Sequence, residues 1–306
     1  MLRLRYLLAG LGNIGTKRRA ILGGRCVGAV DPVHPAAEFT DPAQCPAGRY
    51  DAAILAVPNP EKLALLEYFL SRGKHVLVEK PLLFACDETA GRMNRLAREK
   101  GAIWHTGYNH RFEPQVAALK ARLDSADVGR IYSGRLFYGN GTVRNMIGSW
   151  REEGLGVLED LGCHLIDLMG HLFGYAKADF RVWALEAVEA KNTDRCILAT
   201  PDHRFELECS MLCWKNTFSI DVYGEKGSLH VNGLCKWGDS ELIFRERVFP
   251  SGVPIEFRSV VKGPDLTWEK DLQHFETQVD KGETSGENDA RISSAIRTIA
   301  ADCRPA

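Results

Sequence analysis

The sequence predicts an α/β N-terminal domain on a parallel sheet, then a C-terminal α+β domain built on a largely antiparallel open sheet. Three observations lead there. A glycine-rich turn joins an apolar run to a helical segment within the first 31 residues. Apolar runs of strand length then alternate with helical periodicities as far as residue 112. Beyond Pro114 the alternation stops, and short strand-like runs follow one another, separated by turn residues.

The glycine turn is the most informative stretch. Residues 2–9 read LRLRYLLA, then come Gly10-Leu11-Gly12-Asn13-Ile14-Gly15, and Asp31 closes a second apolar run, CVGAV. Strand, turn, helix, strand and acid in that order supply the Rossmann-like context that a GxGxxG alone lacks. Gly10 permits the tight turn, Gly12 lets a pyrophosphate approach the backbone, and Gly15 lets the helix lie close to the strand. The N–H groups of the helix start, around Leu11, Asn13 and Ile14, face the phosphates. Asp31 suits the ribose diol and repels a 2′-phosphate. No Arg or Lys follows it in DPVHPAAEF, so the expected cofactor is NAD(H) rather than NADP(H). FAD, S-adenosylmethionine or no ligand at all are the alternatives for such a turn.

The remaining elements follow in order. DAAILAVP (51–58) is a strand run, Pro58-Asn59-Pro60 turns the chain, and Leu63, Leu66 and Leu70 mark a helix closed by Gly73. KHVLVEKP (74–81) is a strand, 85–100 a helix ending at Gly101, and AIWHTG (102–107) a further strand. Ligands bind beyond the carboxyl ends of such strands, which is where Glu79-Lys80-Pro81 and Tyr108-Asn109 fall. The second part opens with a helix at 114–125 and a strand at 130–138. A Gly-, Asn- and Trp-rich loop covers 139–155, and a helix covers 157–172. Strands are expected at 179–188, 194–200, 204–212, 217–223, 227–231, 241–249 and 255–261, then helices at 267–280 and 288–301. The domains are therefore 1–112 and 113–306, with the C-terminal helix able to pack back on the first. A sheet with helices on one face needs cover on the other. Apolar residues there would meet a second subunit, so a homo-oligomer is expected.

Composition narrows the function. In 306 residues, 45% hydrophobic, the net charge is -1, with no basic block and no apolar run of membrane-spanning length. Nucleic acid and membrane are thus excluded as expected partners. The N-terminus flows into the glycine turn without a cleavage pattern, and the nine cysteines read as buried thiols of a cytoplasmic protein. Cys209 and Cys213 lack a second metal-like pair, and no HExxH or GxSxG occurs, so neither a metal nor a serine hydrolase is expected.

Three side chains carry the candidate chemistry. Lys80, held extended by Pro81, would stabilise charge developing on a reacting oxygen. A surface lysine is the plain alternative. Asp160 and His164 sit four apart, on one face of a helix, amid glycines 154, 156 and 162 that would admit cofactor or substrate. His164 suits proton transfer near neutrality, and Asp160 would orient it or hold a substrate hydroxyl. A helix cap and a satisfied core histidine are the plain alternative. Asp167 shares the face of His164 or pairs structurally; His105, His110 and His171 are weaker candidates and lack the spacing of HExxH or a similar metal signature.

The set Gly10–Gly15, Glu79-Lys80-Pro81, Gly107-Tyr108-Asn109-His110-Arg111-Phe112 and Asp160-Leu161-Gly162-Cys163-His164 resembles the glucose-fructose oxidoreductase / inositol dehydrogenase / MocA (Gfo/Idh/MocA) family over nearly the whole chain. The resemblance implies an NAD(P)-dependent oxidoreductase acting on sugars, cyclitols or nucleotide sugars. It implies His164 as general acid/base and Lys80 and Asp160 as residues that position and polarise the substrate. It places Pro58, Asn59, Glu79, Lys80, Asn109 and Arg151 at or near the cofactor. Members often carry three glycines before the DxxxH motif. Here Leu155 interrupts Gly154 and Gly156, which points to a reshaped cleft. A nonenzymatic NAD-binding regulator, and an enzyme that uses NAD transiently for elimination or glycoside cleavage, are the competing classes.

Overall fold

A computed structural model describes residues 4–141, 143–149, 152, 154–284 and 286–302. They form two compact units. The first comprises the chain through Asn109 together with Trp268–Ser294, and the second His110–Thr267 together with residues from Ala295 on.

The first unit is a five-stranded parallel sheet of order β2-β1-β3-β4-β5. Its strands are β1 (Tyr6–Ala9), β2 (Cys26–Val30), β3 (Ala52–Leu55), β4 (His75–Glu79) and β5 (Trp104–Gly107). The crossovers are α1 (Asn13–Leu22), α2 (Asn59–Ser71) and α3 (Asp87–Lys100). Both faces are buried, which is why the strands read as unbroken apolar runs. Leu7, Ala9, Ala53, Leu55, Val76 and Val78 pack with Leu66, Phe69 and Met93 from α2 and α3. The alternate residues Tyr6, Leu8, Ala52, Ile54 and Leu77 pack with Leu22.

That second face is completed from far along the chain. Leu272 and Phe275 of α6 (Thr267–Lys281) belong to the same cluster. Arg18 of α1, wholly buried, donates to Glu79 at 2.6 Å and to Asp271 of α6. Burial alone would lower the guanidinium's proton affinity, but the two carboxylates more than reverse it. Tyr6 Oη donates to Glu276 at 2.8 Å, which also pairs with Arg25. Residues 268–294 are thus part of the first unit rather than an appendage of the second.

The second unit holds α4 (Pro114–Asp124), β6 (Ile131–Gly139) and α5 (Cys163–Phe173), then β7 (Arg181–Glu186), β8 (Arg195–Ala199), β9 (Phe205–Ser210) and β10 (Thr217–Gly224). After them come β11 (Gly227–Asn232), β12 (Ser240–Val248) and β13 (Gly252–Val261); α7 (Gly286–Asp302) ends the described chain. The sheet has eight strands in the order β13-β12-β11-β10-β6-β9-β8-β7. Every neighbouring pair is antiparallel except β6 with β9. One face buries Leu136, Leu207, Ile220, Leu229 and Val231 under the helices.

The opposite face carries ion pairs, and exposed apolar residues such as Tyr132, Trp183 and Tyr223 also lie on the strands of this sheet. Arg135 meets Glu206 and Glu208, Arg195 meets Glu208 and Glu186, and Arg258 meets Glu241 and Glu256. Polar residues alternate with apolar ones along β9 and β10, so there one face is core and the other polar. No helix among the described residues is long and apolar enough to cross a membrane.

Candidate functional site

In the first unit the glycine turn is built by close packing. Gly10 has φ +90°, and a side chain there would collide with the Ala56 carbonyl; one at Gly15 would collide with the Gly10 carbonyl. Gly12 differs. A Cβ built on it has no atom within 4 Å, and it caps α1 without any side-chain hydrogen bond. The first turn of α1 therefore opens onto free space, with Gly12 and Asn13 exposed, Ile14 half-buried and Leu11 buried beneath. That is the arrangement a pyrophosphate needs at a helix N-terminus, so these residues fit a dinucleotide.

Asp31 ties this turn to β2. Its carboxylate accepts from Leu11 N at 2.9 Å, Val33 N at 3.0 Å and His34 N at 2.9 Å. Burial works against the charge, but these three N–H groups outweigh it and hold the carboxyl below its ordinary range. Arg19 reaches the same loop, where it donates to the Ala36 carbonyl and pairs with Glu38.

At the end of β4, Lys80 is half-buried and precedes a cis peptide to Pro81. Lys62, 3% exposed, donates to the Pro81 carbonyl and to Asn59 Oδ1, each at 2.8 Å. One buried ammonium thus fixes Asn59 and the Lys80–Pro81 loop together. Nothing in the sequence pattern singles out Lys62, because an isolated lysine in a helix reads as solvated. Pro58 is the exposed residue that caps α2. Glu79, expected near the cofactor, spends one carboxylate oxygen on Arg18. Asn109 is buried at the close of the first unit. Arg151, with Trp150, lies outside the described residues.

In the second unit Asp160 and His164 are both buried, at 4% and 3% exposure. The expected uniform helix is instead a π-type turn over Leu158–Gly162 that passes into α5 at Cys163. Single π turns inside helices recur at functional sites, and the wider turn alters the stacking that an i, i+4 spacing implies. The glycines around it serve the chain's own packing. A side chain at Gly156 would strike the Thr193 carbonyl, and one at Gly162 would press on Leu158. Val157 N donates to that Thr193 carbonyl at 2.8 Å.

Two residues set aside in the sequence become central. Asp167, 1% exposed, receives Arg111 through both carboxylate oxygens, one of them at 2.8 Å. This bidentate pair pins the turn at Asn109–Phe112 onto α5. His110 is thereby laid against His164, with ring centroids 3.9 Å apart. Tyr138 of β6 lies 5.2 Å from His110 and 6.0 Å from His164, centroid to centroid. Among the described residues no His/Cys/Asp/Glu group could hold a metal ion.

The Gfo/Idh/MocA oxidoreductase model for an NAD-binding Rossmann fold matches residues 4–108, and the family's C-terminal-domain model matches residues 116–230. The chain belongs to the Gfo/Idh/MocA oxidoreductase family. Two similar family proteins are the uncharacterized oxidoreductase YdgJ of Escherichia coli (strain K12) and the NADP(+) scyllo-inositol 2-dehydrogenase IolW of Bacillus subtilis (strain 168). YdgJ is 28% identical over 203 residues, which cover 64% of this chain and 56% of YdgJ. IolW is 30% identical over 150 residues, covering 48% of this chain and 40% of IolW. The chain thus matches about half of these relatives' lengths. Levoglucosan dehydrogenase, solved as a complex with NADH, shares the Gfo/Idh/MocA fold seen here at a TM-score of 0.79. Its identity is 19%, covering 98% of this chain and 97% of that one.

Proposed function

We propose that this chain is an NAD(H)-dependent oxidoreductase acting on a secondary hydroxyl or keto carbon of a sugar, cyclitol or nucleotide sugar. The observation that carries the reading is the open first turn of α1 at Gly12, tied through Leu11 to Asp31. The relatives include both an NADP(+) enzyme and an NADH complex. The carboxylate of Asp31, with Arg19 already engaged by Glu38, favours NAD(H). The residues that would hold the dinucleotide are Gly10 to Gly15 and Asp31, with Asn59 and the Lys80–Pro81 loop at the strand ends.

When bound, the nicotinamide takes or returns the hydride. The protein handles the proton and the field. In the oxidative direction the imidazole of His164 removes the hydroxyl proton. The ammonium of Lys80 stabilises charge developing on the oxygen, and Asp160 holds the substrate or the imidazole in place. In reduction His164 gives the proton back.

A screen of sugars, cyclitols and nucleotide sugars for nicotinamide reduction or oxidation tests the proposal. Net redox with at least one of them is expected. His164→Asn should then cut turnover by about 100-fold or more while changing NAD affinity little. Tight NAD binding without any redox overturns the proposal in favour of a regulator. Product formation without net redox overturns it in favour of NAD-assisted elimination.

A further inference from the structure

We infer that β13 is a self-complementary edge: it pairs antiparallel with β13 of a second copy of this chain, about a two-fold axis at Phe257. The contact lies at the edge of the second sheet rather than on either of its faces, and it is independent of the activity proposed above.

The two ends of that sheet are finished differently. At one end β7 is six residues long, and its register with β8 shifts between Val182 and Ala184. Short, irregular edge strands resist pairing with another chain. At the other end β13 runs for ten residues, and no described strand lies beyond it. Its register with β12 is unbroken from Ile255 opposite Glu246 to Val261 opposite Ser240. Residues Gly252 to Val260 are all exposed, the apolar Val253, Ile255, Phe257 and Val260 among them.

The ladder fixes which backbone groups β13 turns outward. Gly233 N donates to Phe218 O at 2.9 Å, and Arg247 N donates to Lys226 O at 2.8 Å. Bonded and non-bonded pairs alternate along an antiparallel ladder. Carried across β11 and β12, that alternation directs the N–H and C=O groups of Ile255, Phe257 and Ser259 to β12. Those of Glu256, Arg258 and Val260 point away from the sheet, as does the carbonyl of Pro254. The proline thus stands where the ladder with β12 needs no donor.

Side chains select the register of the pairing. Glu256, Phe257 and Arg258 read acid, ring, base. With the axis at Phe257, each Glu256 faces the partner's Arg258 and the two Phe257 rings face each other. An axis at Arg258 or at Glu256 would set like charges opposite, which is destabilising. Within one chain Glu256 also meets Arg245, and Arg258 meets Glu241, so both charges are already held along the strand. Phe257 stacks on Phe244 of β12, 5.9 Å between centroids and 17° between planes. Pairing would extend that stack across the junction. Charges on an edge strand normally keep other strands away. Here they match their own inverted copy, so they exclude the wrong registers and favour one.

The test is sedimentation velocity of the full-length protein over a concentration series. A monomer–dimer equilibrium is expected. Glu256→Arg and Arg258→Glu should each weaken it about 10-fold or more, because each sets like charges across the junction. An equimolar mixture of the two variants should associate again, since acid then meets base at both positions. Thermal melts check that each variant is folded. Phe257→Cys should cross-link to its own copy under diamide well beyond the parent protein, and Arg258→Cys, which faces Glu256 in this register, should not. A monomer at every concentration overturns the inference. So does a dimer that Arg258→Glu leaves intact, which places the contact on another surface, or a mixture of folded variants that stays monomeric. Where the charge variants do not fold, the cross-link decides: none at Phe257→Cys, or as much at Arg258→Cys, overturns it equally.

Discussion

His110 and His164 lie ring against ring, 3.9 Å between centroids and tilted by 43°, both almost fully buried. A ring held on one face by another ring has few rotamers left, so on the proposed reading of His164 as the proton carrier His110 would position it. His110→Ala removes that wall, and turnover is expected to fall about 10- to 100-fold because the imidazole loses its alignment. His110→Phe keeps a flat neighbour and should retain most of the rate. NAD affinity should be unchanged in both. Equal losses in the two variants would show that the stack does not position His164.

The glycine turn makes a prediction that separates folding from binding. Gly12→Ala adds a methyl into open space, so its melting temperature should stay within about 0.5 kcal/mol of the parent when converted to stability. Its NAD affinity should nonetheless drop at least about 10-fold, since the methyl stands where the phosphate approaches. Gly10→Ala, forced to φ +90° and against Ala56, should instead destabilise the whole unit. Thermal melts and calorimetry with NAD distinguish the two.

Arg18 is held between Glu79 and Asp271 with no solvent contact. Arg18→Ala leaves two buried carboxylates without their shared cation. The expected cost is about 3–5 kcal/mol, measured by urea unfolding. A loss below 1 kcal/mol would mean that water fills the gap and the triad contributes little.

Cys235 carries a chemical signature. Burial, then the bond to Glu113 and the nearby charges of Glu113 and Asp265, push its thiol up to about 12. A raised value means that the fold favours the neutral thiol. That contribution is whole below roughly pH 8.5, the ordinary thiol value, and is lost as pH rises toward 12. At pH 8, iodoacetamide should therefore modify the exposed Cys86 well before Cys235, as read by peptide mass spectrometry. Early labelling of Cys235 would contradict the assignment.

Much of the fold was legible because its elements are marked by composition. The parallel strands of the first unit are apolar on both faces and stand out as runs such as AAIL and HVLVE. The alternation in FELECS likewise marks β9 as half-buried. What alternation does not reveal is which charges face each other. Glu206 and Glu208 find Arg135 and Arg195 on neighbouring strands, and that pairing depends on register. The candidate site was legible in part for the same reason. Gly10, Gly12, Gly15 and the Asp160/His164 pair announce themselves by spacing. Lys62, His110 and Tyr138 make their contacts between distant segments. The π turn at Leu158–Gly162 leaves no compositional mark.

The return of α6 to the first sheet has a consequence for how this nucleotide fold can be divided or inherited. A gene fragment stopping after β5 would encode every strand of the first sheet but leave Arg18 without Asp271, and Tyr6 and Leu8 without the Phe275 that covers them. The polypeptide is interleaved: its earliest strands await a helix synthesised more than 250 residues after β1. Shuffling the glycine-turn segment alone into another protein would transplant an unfinished half, so recombination must move the interrupted whole.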